Sequence, residues 1–98
     1  KVTVELLGER PCGTATDPAA QKALETACCA ALKHYVGGKK SISVGSTDCN
    51  IPLSLGIPSA SFGMYRGGGA HTREEWIDPS SLCSGMKAAA SVLMNWFS

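Results

Sequence analysis

Polar and apolar positions alternate at the start of the chain, where Val2, Val4 and Leu6 are interleaved with Lys1, Thr3 and Glu5. This is the period-two pattern of a strand with one buried face. Residues 8–13 form a turn-rich connector in which Pro11 biases Arg10 toward extended backbone and onto a loop. From residue 19 to 36 the period becomes helical. Ala20, Leu24, Ala27, Cys28, Ala31 and Tyr35 fall along one face, and Gln21, Lys22, Glu25 and Lys33 are assigned to the solvated side. Asp17 is the expected N-cap, Pro18 the first helical residue and Gly37-Gly38 the stop.

Two short apolar runs bounded by glycine follow, at 42–44 and 57–64, the second interrupted by Pro58. They predict buried strands over 41–44 and 59–64, Lys39-Lys40 leading into the first. Between them residues 51–56 fit a single helical turn, with Pro52 near its start and Gly56 as its stop. Asp78-Pro79 repeats the cap-and-proline signal of Asp17-Pro18 and opens a helix over 80–97. Leu82, Met86, Ala89, Ala90, Leu93 and Phe97 recur on it at helical spacing and read as a core stripe. The order strand, helix, strand, helical turn, strand, helix predicts an α/β layer, a partial parallel-type sheet with flanking helices.

Length sets the scale of this layer: 98 residues have room for one domain and not for a large two-domain enzyme. Nine basic residues against eight acidic ones, net charge +1, with no basic run longer than Lys39-Lys40, exclude the electrostatic footprint of a nucleic-acid binder. No stretch approaches the roughly 20 apolar residues of a membrane span. The five cysteines, at 12, 28, 29, 49 and 83, are odd in number and contain no CxxC pair. A secreted disulfide framework and a structural zinc site are therefore disfavoured, and the expectation is a reduced, cytoplasmic protein. The chain begins mid-pattern without methionine, as though cut from a longer one.

Candidate chemistry is concentrated in residues 45–76, where glycines and small polar residues separate the apolar runs. In a parallel sheet the carboxyl ends of the strands share one edge, which would bring Asp48, Asn50 and His71 together. His71 reads either as a zinc ligand or as a histidine hydrogen-bonded to its neighbours. His34 is assigned to its helix C-terminus, which favours a cationic side chain. Asp48 could hold a ligand in place, touch substrate, or form an Asx-type turn, and Ser46, Thr47 and Asn50 share that loop. Gly67, Gly68 and Gly69 either present backbone N–H groups to an anionic substrate group or form a plain turn. No phosphate-binding GxxxxGK[ST] motif is present, and Arg10 reads as a surface charge.

Gly-Ser-Thr-Asp, then an apolar Gly-Ile-Pro turn, then a glycine-rich loop closing on Ala-His with Glu and Trp four and five residues later resembles the zinc-dependent exopeptidase and aminoacylase family. Carboxypeptidase G, peptidase T and acetylornithine deacetylase are members. The resemblance covers roughly residues 8–97 and implies a zinc ligand at His71 and an orienting role for Glu75, with Glu74 solvated; it makes Asp48 no metal ligand, and Ser46, Thr47, Asp48 and Asn50 are read as a site-shaping loop in reach of substrate. It implies that 1–7 is the tail of a lid or dimerisation domain and 8–98 the C-terminal part of a catalytic domain. The resemblance implies that the complete enzymes hold two zinc ions through an upstream His-x-Asp segment, a bridging Asp and a Glu-Glu pair, none of which has a matching upstream segment here. The expectation is therefore a fragment, inactive alone, of an enzyme cleaving amide bonds in small peptides or N-acyl amino acids. A fragment with an open sheet edge and uncovered helix faces is expected to be a homo-oligomer. The alternative is a free-standing, non-catalytic α/β module that binds a ligand or a partner.

Overall fold

Two Asp-Pro caps determine where the helices begin. In the computed structural model, which describes residues 1–38, 42, 43, 45 and 47–96, helix α1 (Pro18–Tyr35) starts at Asp17, whose Oδ1 accepts from Ala19 N at 3.0 Å and Ala20 N at 3.1 Å. These bonds satisfy two of the donors that every helix start leaves open. The short helix α2 (Asn50–Ser54) ends at Gly56, whose φ of 79° is the left-handed geometry of a helix stop. Strand β1 (Arg66–Gly68) and strand β2 (Trp76–Asp78) pair antiparallel in the register Arg66↔Asp78, Gly67↔Ile77, Gly68↔Trp76. A 3-10 turn (Pro79–Ser81) then leads into helix α3 (Leu82–Trp96).

The second Asp-Pro pair does more than start a helix. Asp78 Oδ1 accepts from Ser80 N at 3.0 Å and from Ser80 Oγ at 2.6 Å. The buried Ser81 Oγ donates to Asp78 O at 2.6 Å and accepts from Arg66 N at 2.7 Å. One hydroxyl thus ties the first strand of the hairpin to the start of α3.

The core lies where α1 meets α3, and it is built from small side chains: Cys28 and Ala31 on α1, Gly85 and Ala88 on α3, with Ala88 at 0% exposure. The backbone at Met64 crosses over Gly85 so closely that a Cβ on Gly85 would run into the Met64 carbonyl. Residues 57–63 are held to α1 by Gln21, whose Nε2 donates to Ser59 O and whose Oε1 accepts from Ser59 N, both at 2.8 Å. Gln21 Nε2 also donates to Glu25 Oε1 at 2.9 Å. Gln21 and Glu25, assigned from the sequence to the solvated side, are half-buried. A side-chain amide here does what a neighbouring strand would do, offering one donor and one acceptor to a backbone.

The α/β character stands, as a mixture of helices and a small antiparallel sheet, but among the described residues there is no parallel pair. The strand expected at residues 1–6 is unpaired, with Val2 89% and Val4 95% exposed. Residues 59–63 and the pair Ile42-Ser43 are likewise outside any strand. An alternating sequence becomes a strand only when a second backbone satisfies its N–H and C=O groups. Lys39, Lys40, Ser41, Val44 and Phe97 lie outside the described residues.

The stripe on α3 is also corrected. Leu82, Met86, Ala90 and Leu93 face solvent, Met86 at 61% and Leu93 at 63%, while the Gly85/Ala88 face packs inward. Small residues allow close helix approach, so the seam forms on that side and leaves the bulky stripe uncovered. Among the described residues no large side chain is fully buried. The accessible surface is 7968 Å², against about 5300 Å² for a compact monomer of this mass. The radius of gyration is 16.6 Å, against about 13 Å for a compact domain of 100 residues.

Gly85→Ala is expected to destabilise the chain by about 1–3 kcal/mol, because its added methyl group meets backbone that has no rotamer with which to yield. Chemical denaturation followed by circular dichroism measures this, and an unchanged midpoint would mean that the Met64 crossing is not a fixed contact.

Candidate functional site

The two loops picked out by the sequence fold into different parts of the molecule. The first leads into α2. Thr47 O accepts from Asn50 N at 3.0 Å and Asp48 O from Ile51 N at 3.3 Å, so the loop is already turning as a helix start. Thr47 Oγ1 lies 2.8 Å from Cys49 Sγ, and Asn50 Nδ2 donates to Gly45 O at 3.4 Å. Thr47, Asn50 and Gly45 line a cleft of about 480 Å³ whose other wall is α1, through Gln21, Glu25 and Cys29. Asp48 is exposed, and Ser46 lies outside the described residues.

The second loop is the tip of the hairpin. Gly67 and Gly68, expected in a loop, are strand residues of β1. Their missing side chains make room for neighbours: a Cβ on Gly67 would meet the Trp76 carbonyl and the Tyr65 ring, and one on Gly68 would lie 2.8 Å from Trp76 Nε1. Gly69 has φ 65° and its carbonyl accepts from Thr72 N at 3.1 Å and Thr72 Oγ1 at 2.6 Å. His71 follows within the same turn. It is exposed and has φ 65°, and among the described residues it alone departs from glycine in that region.

Left-handed backbone costs an ordinary residue about 1–2 kcal/mol, and histidine tolerates it better than most. A non-glycine residue held this way is a feature of sites where a side chain must be presented. Glu75, exposed, closes the turn through its N–H to Thr72 O at 3.3 Å.

None of His71, Glu75 and the three glycines lines the cleft that Thr47 and Asn50 share with α1. Among the described residues no three His, Cys, Asp or Glu side chains are grouped to hold a metal ion. A catalytic zinc centre needs three protein ligands and an open position, so the residues present do not fit such a centre, and no step of hydrolysis is assigned to them. Sequence reasoning missed the cleft itself. Its walls are formed by Cys12, Cys28, Cys29 and Cys49 along with Gln21 and Glu25, and nothing in the spacing of those cysteines resembles a motif.

The strongest local electrostatic feature is at Asp78. Its carboxyl is held below the usual aspartate range, first by the Ser80 hydroxyl, next by the Ser80 N–H, and to a smaller degree by Arg66, whose guanidinium is 3.9 Å away on an exposed surface.

The family model of peptidase family M20/M25/M40 matches residues 1–95. The chain belongs to this peptidase family, which is generally zinc-dependent. No curated protein and no solved structure gives a match. Among the described residues no helix is long and apolar enough to cross a membrane.

A group whose folded-state pKa is lowered contributes stability above its unfolded value of about 3.9, and that contribution disappears as pH falls through the folded value. Asp78→Asn is therefore expected to lower the melting temperature at neutral pH and to flatten its decline below about pH 4. Melting curves of both proteins across acid pH test this, and parallel curves would exclude Asp78 as a source of the pH dependence.

Proposed function

We propose that the chain is the C-terminal part of the catalytic domain of a zinc-dependent exopeptidase or amidohydrolase, and that the complete enzyme cleaves amide bonds in small carboxylate-bearing peptides or N-acyl amino acids. In this reading His71 supplies one metal ligand and Glu75 orients the turn that carries it. Ser46, Thr47, Asp48 and Asn50, together with the amides of Gly67, Gly68 and Gly69, shape the substrate site. Residues 1–7 belong to a lid or dimerisation domain, and the protein is cytoplasmic and oligomeric.

The observation that carries the proposal is the family match over residues 1–95, beside a histidine displayed in left-handed backbone at the tip of the hairpin. The uncovered apolar residues of α3 and of residues 1–7 support it further, since they are the faces a larger domain would cover.

Three measurements test this: the mass of the native polypeptide detected with an antibody to these residues, its zinc content, and a peptidase assay of the 98-residue chain with added zinc. The expected results are a longer native protein and an isolated chain with neither stoichiometric zinc nor turnover. In the longer protein His71→Ala should lower activity at least about 100-fold. Tight zinc binding with turnover in the 98-residue chain would instead make it a complete enzyme. A native species of 10.2 kDa without zinc would favour the non-catalytic module.

A further inference from the structure

Ser81 is the one buried polar residue among those described, at 5% exposure. A hydroxyl is stable in such a place only when its hydrogen-bonding capacity is used, and this one is used in both directions. The O–H donates to Asp78 O at 2.6 Å and the oxygen accepts from Arg66 N at 2.7 Å. Arg66 and Asp78 face each other in the register of β1 and β2. The hydroxyl therefore bridges the two strands at the open end of the hairpin, from a turn that runs directly into α3. The second link across this pair, the Arg66–Asp78 ion pair at 3.9 Å, is exposed and contributes little. At the other end, the bonds from Thr72 N to Gly69 O and from Glu75 N to Thr72 O are internal to the tip. They fix its shape and not its direction.

We propose that Ser81 is a positioning residue, whose hydroxyl sets the direction of the hairpin relative to α3 and so fixes where His71 stands in the site of the complete enzyme. The proposal rests on the reading of His71 given under the proposed function. Direction is decided at the base because a tilt there grows with distance. His71 stands five residues beyond Arg66, at most about 16 Å of extended chain, so a tilt of about 5° moves it by about 1 Å. A displacement of that size costs a reacting constellation about 100-fold. Removing the hydroxyl takes from Arg66 N and Asp78 O the partner they share, while the Asp78 side-chain cap on Ser80 and the turn at Gly69 remain.

The test uses the 98-residue chain in solution, where residual dipolar couplings report the direction of β1 and β2 relative to α3 and amide hydrogen exchange reports the Arg66 N–H. Ser81→Ala is expected to speed Arg66 exchange at least about 10-fold and to change the hairpin couplings against those of α3, with Thr72 N–H protection retained. Ser81→Thr, which keeps the hydroxyl, should restore both. Ser80→Ala, which removes a hydroxyl from Asp78 Oδ1 alone, should alter neither. In the longer protein Ser81→Ala should lower kcat at least about 10-fold with KM unchanged, and Ser81→Thr should recover it. Unmoved couplings in Ser81→Ala, or a moved hairpin with undiminished kcat in an enzyme that His71→Ala inactivates, would overturn the proposal. An active His71→Ala enzyme would instead overturn the functional reading on which the proposal rests, and the couplings distinguish that failure from an error about Ser81. Should Ser81→Ala fail to fold, the unsubstituted chain decides: slow exchange at the Arg66 amide supports the bridge, and fast exchange overturns it.

Discussion

The contact on which the other elements depend is the seam between α1 and α3, and it is made without large side chains. The residues buried on the two helices are small, Cys28 and Ala31 on α1 and Gly85 and Ala88 on α3, so their burial removes little apolar surface from water. At roughly 25 cal/mol per Å² of apolar area, such a seam stabilises far less than an interface of leucines and phenylalanines. Its fit matters correspondingly more. Gly85 lets the Met64 backbone cross the helix, and that crossing delivers the chain into β1 beside the start of α3.

The hairpin's position follows from this. Ser81 accepts from Arg66 N and donates to Asp78 O, and Asp78 both ends β2 and caps the turn into α3. The seam therefore fixes α3, α3 fixes the 78–81 turn, and the turn fixes the hairpin whose tip displays His71. Gln21 on α1 holds Ser59 through two backbone bonds, and the cleft lies beside that clamp and α2. The hairpin and the cleft are thus positioned by one helix pair through different residues.

What could be read from the sequence divides along the same physical line. Features set by neighbours in the chain were legible: the Asp17-Pro18 and Asp78-Pro79 starts, the Gly56 stop, and all three helices fall where capping and helical spacing place them. Features set by partners distant in the chain were not. Residues 1–6 and 59–63 carry apolar patterns suited to strands, yet a strand needs a ladder partner that local sequence does not specify. The α3 stripe misled for a related reason, since helical periodicity identifies an apolar face without saying what it meets. For the site, the sequence singles out the histidine and its glycines, and the structure places them on one hairpin. The separation of that hairpin from the cleft, and the gathering of four cysteines in it, were not, because both depend on how α1 packs.

Core and chemistry are short of partners in the same way. The surface left accessible exceeds that of a compact monomer by about half, and the excess includes Val2, Val4, Leu6, Met86 and Leu93. At the hairpin a strained histidine is presented with no second or third donor grouped beside it among the described residues. In the proposed reading, a metal centre assembled from this turn and a facing domain would use the displayed histidine, and the same facing domain would cover the apolar residues.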